Sequence, residues 1–170
     1  MKPGLALAVA FSVLDNPEAP GGKAGIPIYR GSKARGTREF TGRVNVIDKN
    51  HKAVMAWRES VFGAARPDGV PLLSPGLDEP LIMRLMFSLN RPKSVSLKSR
   101  PYPVVRPDVD NLSKGTIDAI TSAGLWRDDA LLISVMLSKA YCGHFHADGT
   151  PALEIPGCVV QIYRIIPLSA

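Results

Sequence analysis

Carboxylates concentrate in one stretch of the chain, between Arg106 and Asp129. Asp108 and Asp110 stand two residues apart where a helical pattern begins, and Asp128 and Asp129 follow after that pattern ends. Converging carboxylates repel one another, and a hard cation such as Mg²⁺, which takes oxygen ligands and keeps several waters, relieves that repulsion. The stretch therefore predicts a metal site built for cutting nucleic acid.

A helix that ends at Gly124 is predicted to position the first two acids. Its small and apolar residues recur at spacings of three and four, which favours one face packed on a core. This stripe consists of Leu112, Thr116, Ala119, Ile120 and Ala123. Asp110, Lys114 and Asp118 fall on nearly the same side of the helix, away from the stripe. One cation is thus expected to neighbour the acids.

Each of these charged residues also has an ordinary structural interpretation. The alternatives are a helix cap at Asp108 or Asp110, a surface ion pair between Lys114 and Asp118, and a polar turn at Asp128 and Asp129. Capping needs one carboxylate, so the metal interpretation depends on several converging. A strand that packs back on the helix is expected to return Asp128 or Asp129 to the first pair, and the residues alone favour neither.

The order D-V-D-N-L-x-K, then I-D-A-I, then G-L-W-x-D-D-A resembles the signature of the RusA family of Holliday-junction resolvases, small homodimeric endonucleases of bacteria and their phages. In that family both acids of D-x-D and the second acid of the D-D pair bind the catalytic metal, and the lysine after D-N-L is needed for cleavage. The resemblance implies a catalytic set of Asp108, Asp110, Asp129 and Lys114. Pro107 departs from the family, in which some members carry a basic residue there, and Arg106 carries a charge one position earlier.

Basic residues gather in two stretches of a chain whose net charge is +6. Residues 90–107 contain no acid, and Arg91-Pro92-Lys93-Ser94 resembles the R-P-K-S segment before the acids in RusA-type proteins. Residues 18–42, rich in Pro and Gly, are predicted to be a flexible loop. Its segment from Tyr29 to Lys33 resembles a part of the family that lies near bound DNA. The predicted DNA contacts are Arg30, Lys33, Lys93, Lys98, Arg100 and Arg106. The alternative is two solvated loops whose charges face water.

The predicted fold is a mixed α+β, RusA-like domain over residues 1–170, with about five strands in one sheet and two principal helices on it. The expected strands are a buried one at Leu5 to Leu14, then Arg43 to Ile47, Leu81 to Leu89, Leu131 to Tyr141 and Cys158 to Ile166. The first helix is expected to begin after a cap at Asn50 and to end at about Ala65, with Trp57 in the core. Arg84 and Ser88 share one face of their strand, which is expected to meet solvent or DNA.

Two cysteines, Cys142 and Cys158, are too few for a disulfide framework and are expected to be reduced thiols in a cytoplasmic protein of bacterial or phage origin. A hairpin across residues 143–157 would bring them near one another. With His144 and His146, Cys142 forms a C-x-H-x-H pattern that matches no known ligand spacing. No run is long enough to span a bilayer, and no cleavage signal follows the apolar run near the start.

Together these features predict a Mg²⁺-dependent endonuclease, with Mn²⁺ as the alternative metal, that resolves Holliday junctions by paired symmetric nicks in DNA recombination and repair. The expected partners are a four-way DNA junction and a second copy of the chain, without a membrane or a small-molecule cofactor. A two-fold axis presents two identical sites to the two equivalent strands of a junction. The alternatives are a non-catalytic protein that binds branched DNA and a nuclease for other branched DNA.

Overall fold

The computed structural model describes residues 3–19, 23–31, 36–48 and 50–167, including all their side chains except those of residues 3, 23, 24, 45–48 and 167. Six strands and two helices lie in this part of the chain. In order they are β1 (Pro3–Val13), β2 (Lys23–Arg30), β3 (Glu39–Asp48), α1 (His51–Ala65), β4 (Leu81–Leu89), α2 (Val109–Ala123), β5 (Leu132–Tyr141) and β6 (Gly157–Pro167). Short 3₁₀ turns lie at Pro67–Gly69 and Asp129–Leu131.

The main sheet has four strands in the order β1-β6-β4-β5. Strand β6 is antiparallel to β1 and β4, whereas β4 and β5 are parallel, with Leu81 opposite Leu132 and Leu89 opposite Tyr141. Parallel neighbours need a crossover connection, and α2 provides it. Because α2 follows the end of β4 and precedes the start of β5, it runs back along the sheet against the direction of both strands.

Both helices cover one face of this sheet, and the predicted core stripe of α2 is buried. Trp57 of α1 is fully buried, and its indole Nε1 donates to Thr116 Oγ1 at 3.1 Å across the helix pair. The mixed α+β fold with two helices on a sheet is therefore confirmed. The strands divide into a sheet of four and a separate pair, instead of about five in one sheet.

Strands β2 and β3 form an antiparallel pair, so the prediction of a loop over residues 18–42 is wrong for the described part of that range. The register runs from Lys23 opposite Asp48 to Arg30 opposite Glu39. The pairing joins residues that are distant in sequence, and local composition does not reveal it. A two-stranded pair also leaves an outer edge on each strand, where Pro and Gly are tolerated.

The sheet face away from the helices is partly covered by the connection between β5 and β6, so the expected exposure of Arg84 and Ser88 is wrong. Arg84 forms an ion pair with Asp148, and fully buried Ser88 accepts a hydrogen bond from Leu153 N at 2.9 Å. His146 is buried in the same layer, with Nδ1 2.9 Å from Ser138 Oγ.

Three further expectations have mixed outcomes. Both cysteines are free thiols, but β4 lies between β5 and β6, so no hairpin brings them together. Burial raises the pKa of both thiols.

Strand β1 forms as predicted but lies at an edge of the sheet, and Leu5 is 52% exposed although Val13 is buried. Within the described residues, neither helix is long and apolar enough to cross a membrane.

Candidate active site

The first acid pair lies where α2 begins. Asp108 occupies the N-cap position in an extended conformation, but its side chain makes no capping hydrogen bond. Asp110 lies in the first turn, and both residues are exposed. Neither carboxylate has a hydrogen-bond or ion-pair partner within the described part of the chain. The capping alternative is therefore not realised, while Gly124 ends the helix in the predicted left-handed conformation with φ 79°.

Lys114 lies one turn beyond Asp110 on the exposed side of α2. Its expected surface partner, Asp118, instead pairs with Arg58 of α1, with 3.7 Å between Nη1 and Oδ2. No carboxylate lies within ion-pair distance of Lys114 among the residues whose side chains are described. The ion-pair alternative for Lys114 is wrong, and its ammonium is free to meet an anion.

The two acids after α2 differ in their hydrogen bonding. Asp128 Oδ1 accepts a hydrogen bond from Ala130 N at 2.7 Å, and so caps the 3₁₀ turn at Asp129–Leu131. The Asp129 carboxylate is exposed and has no partner in the described structure. Asp128 therefore has a structural role, whereas the Asp129 carboxylate makes no such bond.

Within one copy of the chain, Asp129 does not return to the first pair, so that expectation is wrong. Helix α2 has 15 residues and is therefore about 22 Å long. Asp108 precedes its start, next to Lys139 late in β5, because Lys139 Nζ lies 2.8 Å from the carbonyl oxygen of Pro107. Asp129 instead precedes the start of β5, and the strand from Leu132 to Lys139 spans about 23 Å.

The side chains of the described residues agree with this separation. They contain no group of three or more His, Cys, Asp or Glu side chains close enough to hold a metal ion. The described residues of the C-x-H-x-H pattern therefore form no such group either, and His146 of that pattern is buried against Ser138. In one copy of the chain the candidate metal ligands therefore fall into two groups, the Asp108/Asp110 pair and Asp129, on the order of 20 Å apart.

The basic, acid-free segment of residues 90–107 forms no helix or strand and leads into the Asp108/Asp110 pair. Lys93, Lys98 and Arg106 are exposed and their side chains have no hydrogen-bond or ion-pair partner within the described residues, whereas Arg100 is half-buried. Arg91 donates to the carbonyl of Val95 and so stabilises a turn in the segment. These exposed cations lie in the segment that precedes Asp108.

The predicted contacts in the first basic stretch are only partly described. Arg30 is exposed at the end of β2, and Lys33 lies outside the described residues. Arg38 places its guanidinium 4.0 Å from the centre of the Tyr29 ring, which in turn lies 5.8 Å from the Phe40 ring. The β2–β3 pair thus presents cations and aromatic rings together on an exposed surface.

Lys139 was not expected to belong to the site, although the sequence carries a signal for it. The residues Leu131, Ile133, Val135 and Leu137 alternate as an apolar face, and Lys139 continues the same alternation. A lysine in register with apolar residues needs a polar partner. Here the partners are the carbonyl oxygens of Val105 and Pro107.

Comparison with known proteins identifies one family. The profile of endodeoxyribonuclease RusA matches residues 32–155 of the 170-residue chain. The matched range contains both helices, β4 and β5, the basic segment of residues 90–107, and every acid discussed above. No curated protein matches the chain with significant similarity.

Proposed function

The chain belongs to the RusA family of endodeoxyribonucleases, and we propose on that premise that it resolves Holliday junctions with a divalent metal ion. The observation that carries the proposal is the set of exposed carboxylates around α2 that have no partner among the described residues. The carboxylates of Asp108, Asp110 and Asp129 are exposed and make no hydrogen bond or ion pair with any described residue, while those of their neighbours Asp118 and Asp128 do. Exposed carboxylates without partners are available to a cation.

The proposed metal ligands are Asp108, Asp110 and Asp129. Their hard oxygen donors suit Mg²⁺, which is commonly bound through one or two carboxylates and several waters, and Mn²⁺ accepts the same donors. A divalent ion held there would activate a water molecule and stabilise the leaving oxygen of the cleaved phosphodiester. The carboxylates hold the ion, and Lys114 offsets the negative charge that develops on the phosphate.

The separation of the Asp108/Asp110 pair from Asp129 supports a site that a second copy of the chain completes. A two-fold axis that brings the Asp108/Asp110 pair of one copy against the partner's Asp129 creates two identical sites, because the arrangement is reciprocal. Two related sites match the two equivalent strands of a four-way junction, which must both be cut for symmetric resolution. The proposed active unit is therefore a homodimer.

The basic segment supports DNA as the substrate. Lys93, Lys98 and Arg106 are exposed in the segment that leads to the acid pair, and cations that contact phosphates supply much of the affinity for DNA. They also offset the repulsion between the carboxylates and the scissile phosphate. The proposed setting is DNA recombination and repair in the cytoplasm of a bacterium, with a chromosomal or phage gene as the source.

The test is cleavage of a labelled four-way junction by the purified protein, beside a linear duplex of the same arm sequence, each with Mg²⁺, Mn²⁺ or EDTA. The proposal predicts metal-dependent nicks at symmetric positions in two opposing strands of the junction, with the duplex intact. Binding of the junction without any metal-dependent cleavage would identify a non-catalytic protein. Equal cleavage of junctions and flaps would identify a broader nuclease for branched DNA.

A further inference from the structure

Lys139 joins β5 to the chain segment that enters the acid pair. Its ammonium donates to the carbonyl oxygens of Val105 at 3.0 Å and Pro107 at 2.8 Å. These two carbonyls lie on either side of Arg106, and Pro107 directly precedes Asp108. The Lys139 side chain thus holds the connection at two nearby residues immediately before α2 begins.

A lysine on an edge strand has a simpler interpretation, because such lysines discourage pairing with another chain. In that role the ammonium extends into water. Lys139 is half-buried, and it pairs with Phe87 of β4 on the sheet face that the helices cover. Its two hydrogen bonds to carbonyl oxygens are charge-assisted, which makes them stronger than neutral ones. No carboxylate within the described residues lies within ion-pair distance of it, so the backbone is its partner.

We infer that Lys139 is a positioning residue for the metal site, which fixes where the Asp108/Asp110 pair stands relative to the sheet. The chain from Asn90 to Pro107 has no helix or strand to hold it, and the Asp108 side chain makes no capping bond. The helix itself starts from Asp108, whose carbonyl accepts from Leu112 N at 3.1 Å. The Lys139 ammonium is therefore a polar contact that ties the entry of α2 to β5.

This role rests on the proposed function. A fixed entry to α2 matters because the acids are proposed to bind a metal ion. Mg²⁺ demands near-ideal octahedral geometry, so a ligand that wanders by a fraction of an ångström binds it less well. Groups that hold metal ligands in place typically contribute about 10-fold to 100-fold to metal affinity. Lys139 forms no ion pair with a described carboxylate and donates to backbone carbonyls instead, so its effect is expected on metal affinity and not on DNA affinity.

The experiment compares the wild type with Lys139→Met, Lys139→Arg and Lys52→Met. Methionine keeps the length of the side chain but has no donor, and the released carbonyls can be hydrated, so the variant is expected to fold. Arginine keeps the charge and the donors in a different shape. Lys52 is exposed on α1, so Lys52→Met removes the same charge at a site away from the contact between Lys139 and the entry of α2. The measurements are Mn²⁺ affinity from the paramagnetic signal of the free ion, hydrogen exchange in the first turn of α2, and nicking against Mn²⁺ concentration.

Lys139→Met is expected to bind Mn²⁺ at least about 10-fold more weakly than the wild type, and to need a correspondingly higher Mn²⁺ concentration for half-maximal nicking. Exchange at Leu112 and the following amides is expected to accelerate, while junction affinity in EDTA stays unchanged. Lys139→Arg should lie between the methionine variant and the wild type, and Lys52→Met should match the wild type.

Equal Mn²⁺ affinity in Lys139→Met and the wild type would overturn the inference, even with faster hydrogen exchange. The acids would then bind the ion equally well without the hydrogen bonds of Lys139. Absence of nicking in all four proteins would instead refute the proposed function. In that case Mn²⁺ affinity and hydrogen exchange still decide whether Lys139 positions the acids, since neither measurement depends on cleavage.

Discussion

Asp128 Oδ1 lies 2.7 Å from the backbone nitrogen of Ala130, and this hydrogen bond separates two adjacent aspartates into different roles. Asp129→Asn is predicted to abolish metal-dependent nicking with unchanged stability, because it removes a ligand charge from an exposed residue. Asp128→Asn should nick at close to the wild-type rate, since an asparagine oxygen still caps the turn. Asp128→Ala should lower the free energy of unfolding by about 1 kcal/mol.

Junction nicking and chemical denaturation of the three variants check this assignment. Loss of nicking in Asp128→Asn, with Asp129→Asn still active, would reverse the two roles.

Lys114→Ala is predicted to slow nicking by about 10²-fold to 10³-fold, because a cation that offsets charge in the transition state is lost. Junction affinity should change little, since Lys114 acts only as charge develops on the phosphate. Single-turnover nicking at saturating protein, beside a binding titration in Ca²⁺, measures the two effects separately. Asp118→Asn is the control, because Asp118 pairs with Arg58 and should be dispensable for nicking. An equal loss of rate and affinity in Lys114→Ala would make Lys114 a phosphate anchor instead.

Replacing Lys93 and Lys98 together by glutamine is predicted to flatten the salt dependence of junction binding. Both are exposed, and each lost phosphate contact lowers the slope of log affinity against log salt by about 0.9, so the pair should lower it by about 1.8. Gel-shift titrations over a range of salt concentrations give the slopes, with Lys52→Gln as the control for net charge. A slope equal to that of the wild type would place the 90–107 segment away from DNA.

His146 predicts a dependence of stability on pH. Burial lowers its pKa, an effect that Asp148 opposes and Arg84 reinforces. The unfolded chain therefore takes up a proton at a pH where the folded protein does not, so stability is full above the unfolded pKa and falls as the pH drops below it. The thermal midpoint of the wild type should fall between about pH 7.5 and about pH 5.5, and His146→Asn should fall less. His51→Asn, in an exposed position on α1, is the control, and equal slopes in all three proteins would exclude His146 as the cause.

Local periodicity predicted the parts of the fold that local contacts determine. The stripe from Leu112 to Ala123 is buried as expected, and β4 has the predicted bounds of Leu81 and Leu89, because the spacing in α2 and the apolar run in β4 reflect burial. The apolar run of β1 does not, since Leu5 is exposed at the edge of the sheet. The β2–β3 pairing and the cover over Arg84 escaped prediction, since both depend on contacts between residues distant in sequence.

The candidate site residues were predicted from the sequence, whereas their arrangement was not. The motif spacing identified Asp108, Asp110 and Lys114, and their lack of described partners is consistent with that choice. The difference between Asp128 and Asp129 depends on the geometry of a single turn, which adjacent identical residues do not reveal. The separation of Asp129 from the first pair follows from the parallel pairing of β4 and β5 across α2, which the sequence did not specify.

Differently tagged Asp110→Asn and Asp129→Asn chains test the proposal that the acids of each active site come from two copies of the chain. Each variant alone should be inactive. In a purified heterodimer, one site carries both substitutions and the other carries none, so it should nick junctions at about half the wild-type rate per dimer, in one strand only. A heterodimer as inactive as its two parents would contradict the claim, because every site would then draw all three acids from a single copy.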